Sequence, residues 1–172
     1  DEFINLNLLQ NENGSYVLGQ QGAIPTFCDI DGDDDLDFFA VNLIGTVSFY
    51  ENIGSIENYD FILVSSNYND ISVSNKSSIE FFDIDNDEDY DLIVGSQYEN
   101  IFVYENIGDS YEADFQLDSS KVFPTLGFNL VPAFISHNQQ KKLLVGTSTG
   151  GAYLIDLEFC SNVGDYNNDT II

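Results

Sequence analysis

The sequence Asp-Ile-Asp-Gly-Asp-Asp-Asp-Leu-Asp at residues 29–37 returns as Asp-Ile-Asp-Asn-Asp-Glu-Asp-Tyr-Asp at residues 83–91. Both copies carry aspartate at positions 1, 3, 5 and 9, and both lie between short apolar segments that favour strands. A tight turn with this much negative charge repels itself unless a cation neutralises it. Hard divalent cations with oxygen ligands do so, and Ca²⁺ is the usual one. The sequence therefore predicts two calcium loops; the alternative, a solvated acidic turn, is disfavoured by two copies in register.

The ligands are predicted from the contrast with an EF-hand, which needs Gly at position 6 and a bidentate Glu at position 12. Position 6 is Asp34 or Glu88, and position 12 is Ala40 or Val94, so the loop must close by position 9 and lead into a strand. We expect side chains at positions 1, 3, 5 and 9, the backbone carbonyl at position 7, and water to complete the shell. The predicted ligands are Asp29, Asp31, Asp33, Asp35 (carbonyl) and Asp37, then Asp83, Asp85, Asp87, Asp89 (carbonyl) and Asp91.

Position 4 of each loop is occupied by a residue suited to a sharp turn. It is Gly32 in the first copy and Asn86 in the second. These two residue types tolerate a left-handed backbone most readily. We therefore expect a left-handed turn at both positions.

The bulk composition indicates a folded and strongly acidic protein. The chain has 172 residues, enough for one domain or slightly more, and 43% of them are hydrophobic, including 14 Phe and 10 Tyr. Its 30 acidic residues oppose only 4 basic ones, for a net charge of −26. Such a surface repels nucleic acid and anionic membranes. The sequence also contains no apolar run of 18 residues, so we expect neither a nucleic-acid partner nor membrane insertion.

The acidic loop belongs to an internal repeat, because Asp29 and Asp83 are 54 residues apart and the similarity extends beyond the loop. The sequence Tyr-Glu-Asn-Ile-Gly follows at residues 50–54 and again at 104–108, and an Asp-Phe pair follows each. Each unit reads as four short strands, the first leading into the loop and the second leaving it. Strand-length apolar runs broken by Gly and Asn turns predict an all-β protein.

A third unit is present in degenerate form. Leu-Leu-Val-Gly at residues 143–146 parallels Leu-Ile-Val-Gly at residues 92–95. The acidic loop is replaced by residues 137–142, which contain no carboxylate, and Lys142 stands at the position of Asp37 and Asp91. We expect this loop to bind no metal, its lysines substituting for the missing positive charge.

The combination of the acidic loop, the Tyr-Glu-Asn-Ile-Gly segment and the Asp-Phe pair resembles the FG-GAP/VCBS repeats, which form the blades of integrin-α-like β-propellers. The resemblance covers roughly residues 1–157. It implies four-stranded antiparallel blades of a β-propeller, about three repeats in number, with Ca²⁺ held between the first two strands of a blade by the ligands named above. The chain departs from the family at position 6, where Gly is common. Separately, Asp-Tyr-Asn-Asn-Asp at residues 165–169 resembles the start of a dockerin-type calcium repeat.

The resemblance implies a division of the chain into five segments. They are an outer strand of an incomplete blade at residues 1–10, repeat 1 with its calcium loop at 11–66, repeat 2 with its calcium loop at 67–120, degenerate repeat 3 at 121–158, and a linker with a truncated dockerin-like start at 159–172. Both ends stop within a motif, so we expect a piece of a longer polypeptide. Three units do not close a propeller. Either further blades exist elsewhere, or residues 2–9 complete unit three and the units form an arc whose open edges invite association.

The function expected from this reading is a calcium-binding, non-catalytic binding or adhesion module with an extracellular protein or glycan as ligand. Weak calcium sites fill only where calcium is millimolar, so we expect a secreted or cell-surface location. The alternatives are an accessory propeller domain of a secreted polysaccharide-degrading enzyme and a structural unit of a surface assembly. Catalysis is disfavoured because the chain has one His and no Arg, and it lacks a nucleophile-elbow motif. Cys28 and Cys160 either pair as a disulfide or leave Cys28 as a buried thiol.

Overall fold

The computed structural model describes residues 23–157, apart from residues 72, 74–76, 99, 122, 124–125 and 138–139. This part of the chain is all-β, as predicted: eleven strands form three antiparallel sheets, with one short 3₁₀ turn (Tyr68–Asp70). No helix in these residues is long and apolar enough to cross a membrane. The predicted outer strand at residues 1–10 and the dockerin-like segment lie outside the described residues.

Sheet 1 contains the first acidic loop. Its strands are β1 (Ile24–Cys28), β2 (Asp37–Val41), β3 (Val47–Asn52) and β4 (Phe61–Ser65), in the order β1-β2-β3-β4. Every residue of β2 is buried, whereas the edge strands are partly exposed. The loop at residues 29–37, called loop 1 below, connects the edge strand β1 to this buried strand.

Sheet 2 repeats the same design. Its strands are β5 (Ser78–Phe82), β6 (Asp91–Gly95), β7 (Ile101–Asn106) and β8 (Phe115–Leu117), again in sequential order. Loop 2, residues 83–91, connects β5 to β6. The strand pairing ends at the equivalent place in both sheets, since Asp91 pairs with Phe82 as Asp37 pairs with Cys28 in sheet 1. The two acidic loops are therefore structurally equivalent hairpin connections.

Sheet 3 is formed by the degenerate unit. It contains β9 (Val131–His137), β10 (Gln140–Gly146) and β11 (Ala152–Asp156) in the order β11-β10-β9. On β10, Lys142 pairs with Ile135, and Gly146, four residues later, pairs with Val131. On β6 of sheet 2, Asp91 and Gly95 are also four residues apart and pair with β5 in the same way. The register thus places Lys142 at the position of Asp91, as the alignment predicted.

The core consists of two main apolar clusters that share sheet 2. One joins β2 of sheet 1 to β6 and includes Phe39, Val41, Leu92 and Val94. The other joins β6 and β7 to sheet 3 and includes Ile93, Val103, Leu143 and Val145. Because successive residues of a strand point to opposite faces, the run Leu-Ile-Val in β6 serves both clusters. Strand β6 is consequently buried on both faces, which explains its continuous apolar run Leu-Ile-Val.

Cys28, the last residue of β1, is a buried thiol. It forms no disulfide within the described residues, and Cys160 lies outside them, so the pairing of the two stays a prediction. Burial, together with the nearby charges of Asp29, Asp37 and Glu80, raises the pKa of the Cys28 thiol far above its ordinary value. The side chain is therefore a neutral part of the core.

Candidate metal centre

The backbone of both loops turns twice through the left-handed region. Position 4 does so at Gly32 (φ 70°) and Asn86 (φ 73°), as predicted, and position 6 does so at Asp34 (φ 71°) and Glu88 (φ 76°). A side chain in this region is strained, least for Asn and Asp and more for Glu. A positive φ at position 6 would suit Gly best, because Gly adopts this conformation without strain. Here Asp and Glu adopt the same conformation.

The first aspartate of loop 1 organises the backbone around it. Asp29 Oδ1 accepts hydrogen bonds from the N–H groups of Gly32 (2.8 Å) and Asp33 (3.2 Å), and its Oδ2 accepts one from Asp34 (3.1 Å). Three backbone donors converge on this one carboxylate and hold it in a single orientation. Asp29 therefore shapes the loop even without a cation.

The first aspartate of loop 2 has different partners. Asp83 Oδ1 accepts the N–H of Asn86 at 2.6 Å. The ammonium group of Lys141, from β10 of sheet 3, also donates to the Asp83 carbonyl and lies 3.4 Å from Asp83 Oδ1. A side chain of the third unit therefore enters the second loop.

The carboxylates at positions 1, 3 and 5 converge in each loop. One oxygen from each member of a triad lies within 4.8 Å of the others, and the two triads are Asp29, Asp31 and Asp33, and Asp83, Asp85 and Asp87. Two oxygens bound to one Ca²⁺ at 2.3–2.6 Å are at most about 5 Å apart. The spacing of both triads is therefore compatible with one calcium ion each.

The side chains at position 7 are buried beside these triads, which the sequence reasoning did not predict. Asp35 and Asp89 are only 6% and 7% exposed, and an Oδ1 atom of each has no hydrogen-bond partner. The same is true of Asp31 Oδ1. The backbone N–H of Asp35 donates to the carboxylate of Asp33 (3.0 Å), and that of Asp89 donates to the carboxylate of Asp87 (3.2 Å). A buried carboxylate oxygen without a donor is unfavourable unless a cation approaches it, so the residues present fit a bound metal.

The pKa values show the same electrostatic conflict. Burial raises the pKa of Asp35 above its ordinary value, and the charges of Asp33 and Asp31 raise it further. Burial raises the pKa of Asp89 to about 7, and the carboxylate of Asp87, within hydrogen-bonding reach, contributes as well. Two carboxyl groups this close require a proton or a cation between them. The repetition of Asp at position 7 was the available sequence signal, since a carbonyl ligand alone requires no particular side chain.

The aspartate at position 9 connects the loop to the third strand. Asp37 is 1% exposed; its Oδ1 accepts the N–H of Asn52 at 2.8 Å, and its Oδ2 accepts the N–H of Ile30 at 3.4 Å. Burial raises its pKa to about 7 despite these two hydrogen bonds. Each oxygen retains a second lone pair, so a ligand role for position 9 stays a prediction. The equivalent bonds in loop 2 join Asp91 to Asn106 (2.9 Å) and Ile84 (3.0 Å), and burial raises the Asp91 pKa to about 6.

The Asn of the Tyr-Glu-Asn-Ile-Gly segment continues this connection to the fourth strand. Asn52 Oδ1 accepts the N–H groups of Gly54 (3.2 Å) and Asp60 (2.8 Å). A Cβ atom on Gly54 would lie 2.2 Å from the carbonyl oxygen of Asn58, so only glycine fits there. The Asn, the Gly and the Asp-Phe pair thus form one structural turn. The second unit repeats it with Asn106, Gly108 and Asp114.

Two lysines, Lys141 and Lys142, occupy the loop position in the third unit, and they bind different carboxylates. Lys142, at the place of Asp91, pairs with Asp156 Oδ1 on the adjacent strand at 2.5 Å. Lys141 extends instead to loop 2, as described above. Only one of the two lysines therefore supplies positive charge to its own unit.

Comparison of the chain with protein-family models, curated proteins and solved structures finds no match. The likeness to FG-GAP/VCBS repeats and to a dockerin repeat consequently rests on the motif residues alone.

Proposed function

We propose that the chain is a calcium-binding, non-catalytic module in which loop 1 and loop 2 each hold one Ca²⁺. The observation that carries this proposal is the same in both loops. A triad of carboxylate oxygens lies within 4.8 Å, next to a buried aspartate (Asp35 or Asp89) with an oxygen that lacks a donor. A single divalent cation would relieve the repulsion among the carboxylates and would also give the buried aspartate oxygen a partner.

The distribution of charge supports the same proposal. Each nine-residue loop contains six acidic residues. Among the described lysines, Lys141 pairs with Asp83 of loop 2 and the charge of Lys121 acts on Asp91 of the same loop, whereas no ion pair of these residues reaches loop 1. A cation from solution would relieve the repulsion in loop 1, and calcium suits its all-oxygen donor set.

We also propose that the three sheets are blades of the FG-GAP/VCBS type. Three features support this: sequential strand order in both four-stranded sheets, an acidic loop between the first two strands of each, and apolar contact between the faces of successive sheets. The cations would then stabilise the loops that connect the first two strands of each blade. Their role is structural rather than catalytic.

The module would act outside the cell, as a secreted or cell-surface binding or adhesion domain. Sites of extracellular modules bind Ca²⁺ with dissociation constants of about 10⁻⁴ to 10⁻³ M, so they fill only where calcium is millimolar. An aromatic group on the outer face of sheet 1 supports a binding role. There Phe27 is 51% and Tyr59 59% exposed; the Tyr59 ring stacks on the buried Phe61, and the Phe27 ring lies tilted with its centroid 6.4 Å from that of Phe61. This surface suits an extracellular protein, a glycan or a further blade.

Calorimetric titration of the metal-free chain with Ca²⁺ tests the proposal. We expect two ions per chain, and one ion after either Asp31→Asn or Asp85→Asn. Asp114→Asn is the matched control, since Asp114 is exposed and lies outside both loops. Absence of binding at 10 mM Ca²⁺ in the wild-type chain would refute the calcium assignment.

A further inference from the structure

Lys141 approaches loop 2 because of its place on β10. It shares a face of the strand with Leu143 and Val145, which pack against sheet 2 in the second core cluster. Its ammonium nitrogen lies 5.0 Å from the centre of the Phe82 ring, donates to the Asp83 carbonyl and lies 3.4 Å from Asp83 Oδ1. The contact is therefore built into the packing of sheet 3 on sheet 2.

Among the residues that the structure describes, loop 1 has no equivalent of this lysine. The register that aligns Lys142 with Asp91 also aligns Lys141 with Tyr90, a residue with a neutral hydroxyl group. Asp29 is held by three backbone N–H groups, whereas Asp83 is held by one N–H and the ammonium group of Lys141. Loops of nearly identical sequence and equal acidic content thus have different charge environments, because of the neighbouring sheet.

We infer that Lys141 makes the two calcium sites unequal, so that loop 2 binds Ca²⁺ more weakly than loop 1. In the calcium-free protein its ammonium group neutralises part of the charge of loop 2 and fastens sheet 3 to sheet 2. When Ca²⁺ binds to loop 2, that contact must break or the two cations must lie close together, and both outcomes weaken binding. The inference rests on the proposed function, because it concerns the same two loops.

Loop 2 retains the features of a cation site beside the lysine. Asp89 is 7% exposed, and its Oδ1 lacks a hydrogen-bond partner although its carboxyl group lies within reach of Asp87. The ammonium group of Lys141 lies on Asp83 at the start of loop 2, and the charge of Lys121 acts on Asp91 at its end, so neither lysine is placed on Asp89. Lys141 therefore tunes the site without filling it.

Titration of single-site proteins with Ca²⁺ tests the inference. Asp31→Asn leaves loop 2 as the binding site, and Asp85→Asn leaves loop 1. We expect the loop 2 protein to bind more weakly, and Lys141→Gln to raise its affinity by about fivefold, the value of one partly exposed ion pair. In the loop 1 protein, Lys141→Gln should leave the affinity unchanged.

Two control variants separate charge from packing. Lys142→Gln removes a lysine one residue away that pairs with Asp156, and it should leave both affinities unchanged. Lys141→Arg keeps the charge and should bind calcium as the wild type does. In EDTA, Lys141→Gln should lower the melting temperature, because the contact between the sheets is lost, and saturating Ca²⁺ should reduce that difference.

The outcomes distinguish the two proposals. Two sites of equal affinity, or a loop 2 affinity that does not respond to Lys141→Gln, would overturn the inference while leaving the calcium function intact. Failure of the wild-type chain to bind Ca²⁺ would overturn both.

Discussion

The carboxylate of Asp37 accepts the backbone N–H of Asn52 at 2.8 Å, and so links the end of the acidic loop to the third strand of its sheet. Asn52 in turn accepts the N–H of Asp60 at 2.8 Å, at the start of the fourth strand. One chain of hydrogen bonds thus runs from the loop across sheet 1. Since the second unit repeats it, the conformation of the loop and the integrity of the sheet depend on each other.

The first prediction concerns this connection. Asp37→Ala leaves two buried N–H groups without an acceptor, at a cost of about 1–3 kcal/mol each. We expect urea unfolding in EDTA to show a loss of about 2–6 kcal/mol in the free energy of unfolding. Asp31→Asn is the contrasting variant, and it should be neutral or stabilising in EDTA because it removes repulsion. If both variants lost the same free energy of unfolding, the hydrogen bonds of Asp37 would contribute no stability beyond the effect of its charge.

The second prediction concerns calcium and thermal stability. A cation that binds only the folded chain adds about 1.4 kcal/mol per site at tenfold saturation. We therefore expect the melting temperature to rise with Ca²⁺ and to fall in excess EDTA. The control is Asp31→Asn combined with Asp85→Asn, whose melting temperature should not respond. A wild-type melting temperature indifferent to EDTA would contradict the proposal.

The third prediction concerns the backbone at position 6. Glu88 has φ 76°, a conformation strained for glutamate and free of strain for glycine. Glycine relieves about 1–2 kcal/mol of left-handed strain but loses about 0.5–1 kcal/mol more conformational entropy on folding, so we expect Glu88→Gly to raise the free energy of unfolding by about 0.5–1 kcal/mol. Glu88→Gln removes the charge but keeps the strain, so the difference between the two variants isolates the backbone effect. No difference would mean that the left-handed turn is not maintained in solution.

The fourth prediction concerns the packing of sheet 3 on sheet 2. A Cβ atom on Gly95 would lie 2.2 Å from the carbonyl oxygen of Leu130 and 2.6 Å from Pro132 Cδ. Gly146, at the equivalent position of sheet 3, has its nearest such neighbour at 3.9 Å. Gly95→Ala should therefore destabilise the protein by about 2 kcal/mol or more in urea unfolding, and Gly146→Ala by much less. Similar effects would contradict the close contact between the sheets.

The fifth prediction concerns the pH dependence of stability. Burial disfavours the ionised form of Asp118, but hydrogen bonds from Ser120 and Lys121 and the charge of Lys121, 2.9 Å away, outweigh it and lower the pKa to about 2. A folded-state pKa below the ordinary 3.8 means that the stabilisation is present above about pH 4 and is lost as the pH falls through about 2. Asp118→Asn should thus cost about 1–2 kcal/mol at pH 6.

The difference in the free energy of unfolding between wild type and Asp118→Asn should become smaller when urea unfolding is repeated at pH values from 4 down to 2. Asp114→Asn serves again as the exposed control. A gap independent of pH would mean that the contact with Lys121 does not depend on the charge of Asp118.

Much of the architecture was predictable because it depends on local signals. The sequence alone identified an all-β chain, the order of strands around each loop, the left-handed turn at Gly32 and Asn86, and the alignment of Lys142 with Asp91. Strand periodicity, turn residues and a repeat of 54 positions are patterns of the sequence itself, and they can be recognised without a tertiary structure. The convergence of positions 1, 3 and 5 follows from the same short loop.

Other features were decided only by the tertiary structure, because they join residues from different strands or sheets. The burial of the Asp35 and Asp89 side chains and the bonds of Asp37 to Asn52 depend on how the loop lies against its own sheet. The contact of Lys141 with Asp83 joins residues 58 positions apart and depends on how sheet 3 packs on sheet 2. Two loops of nearly the same sequence acquire different charge environments, since electrostatic energy follows distance in space rather than position along the chain.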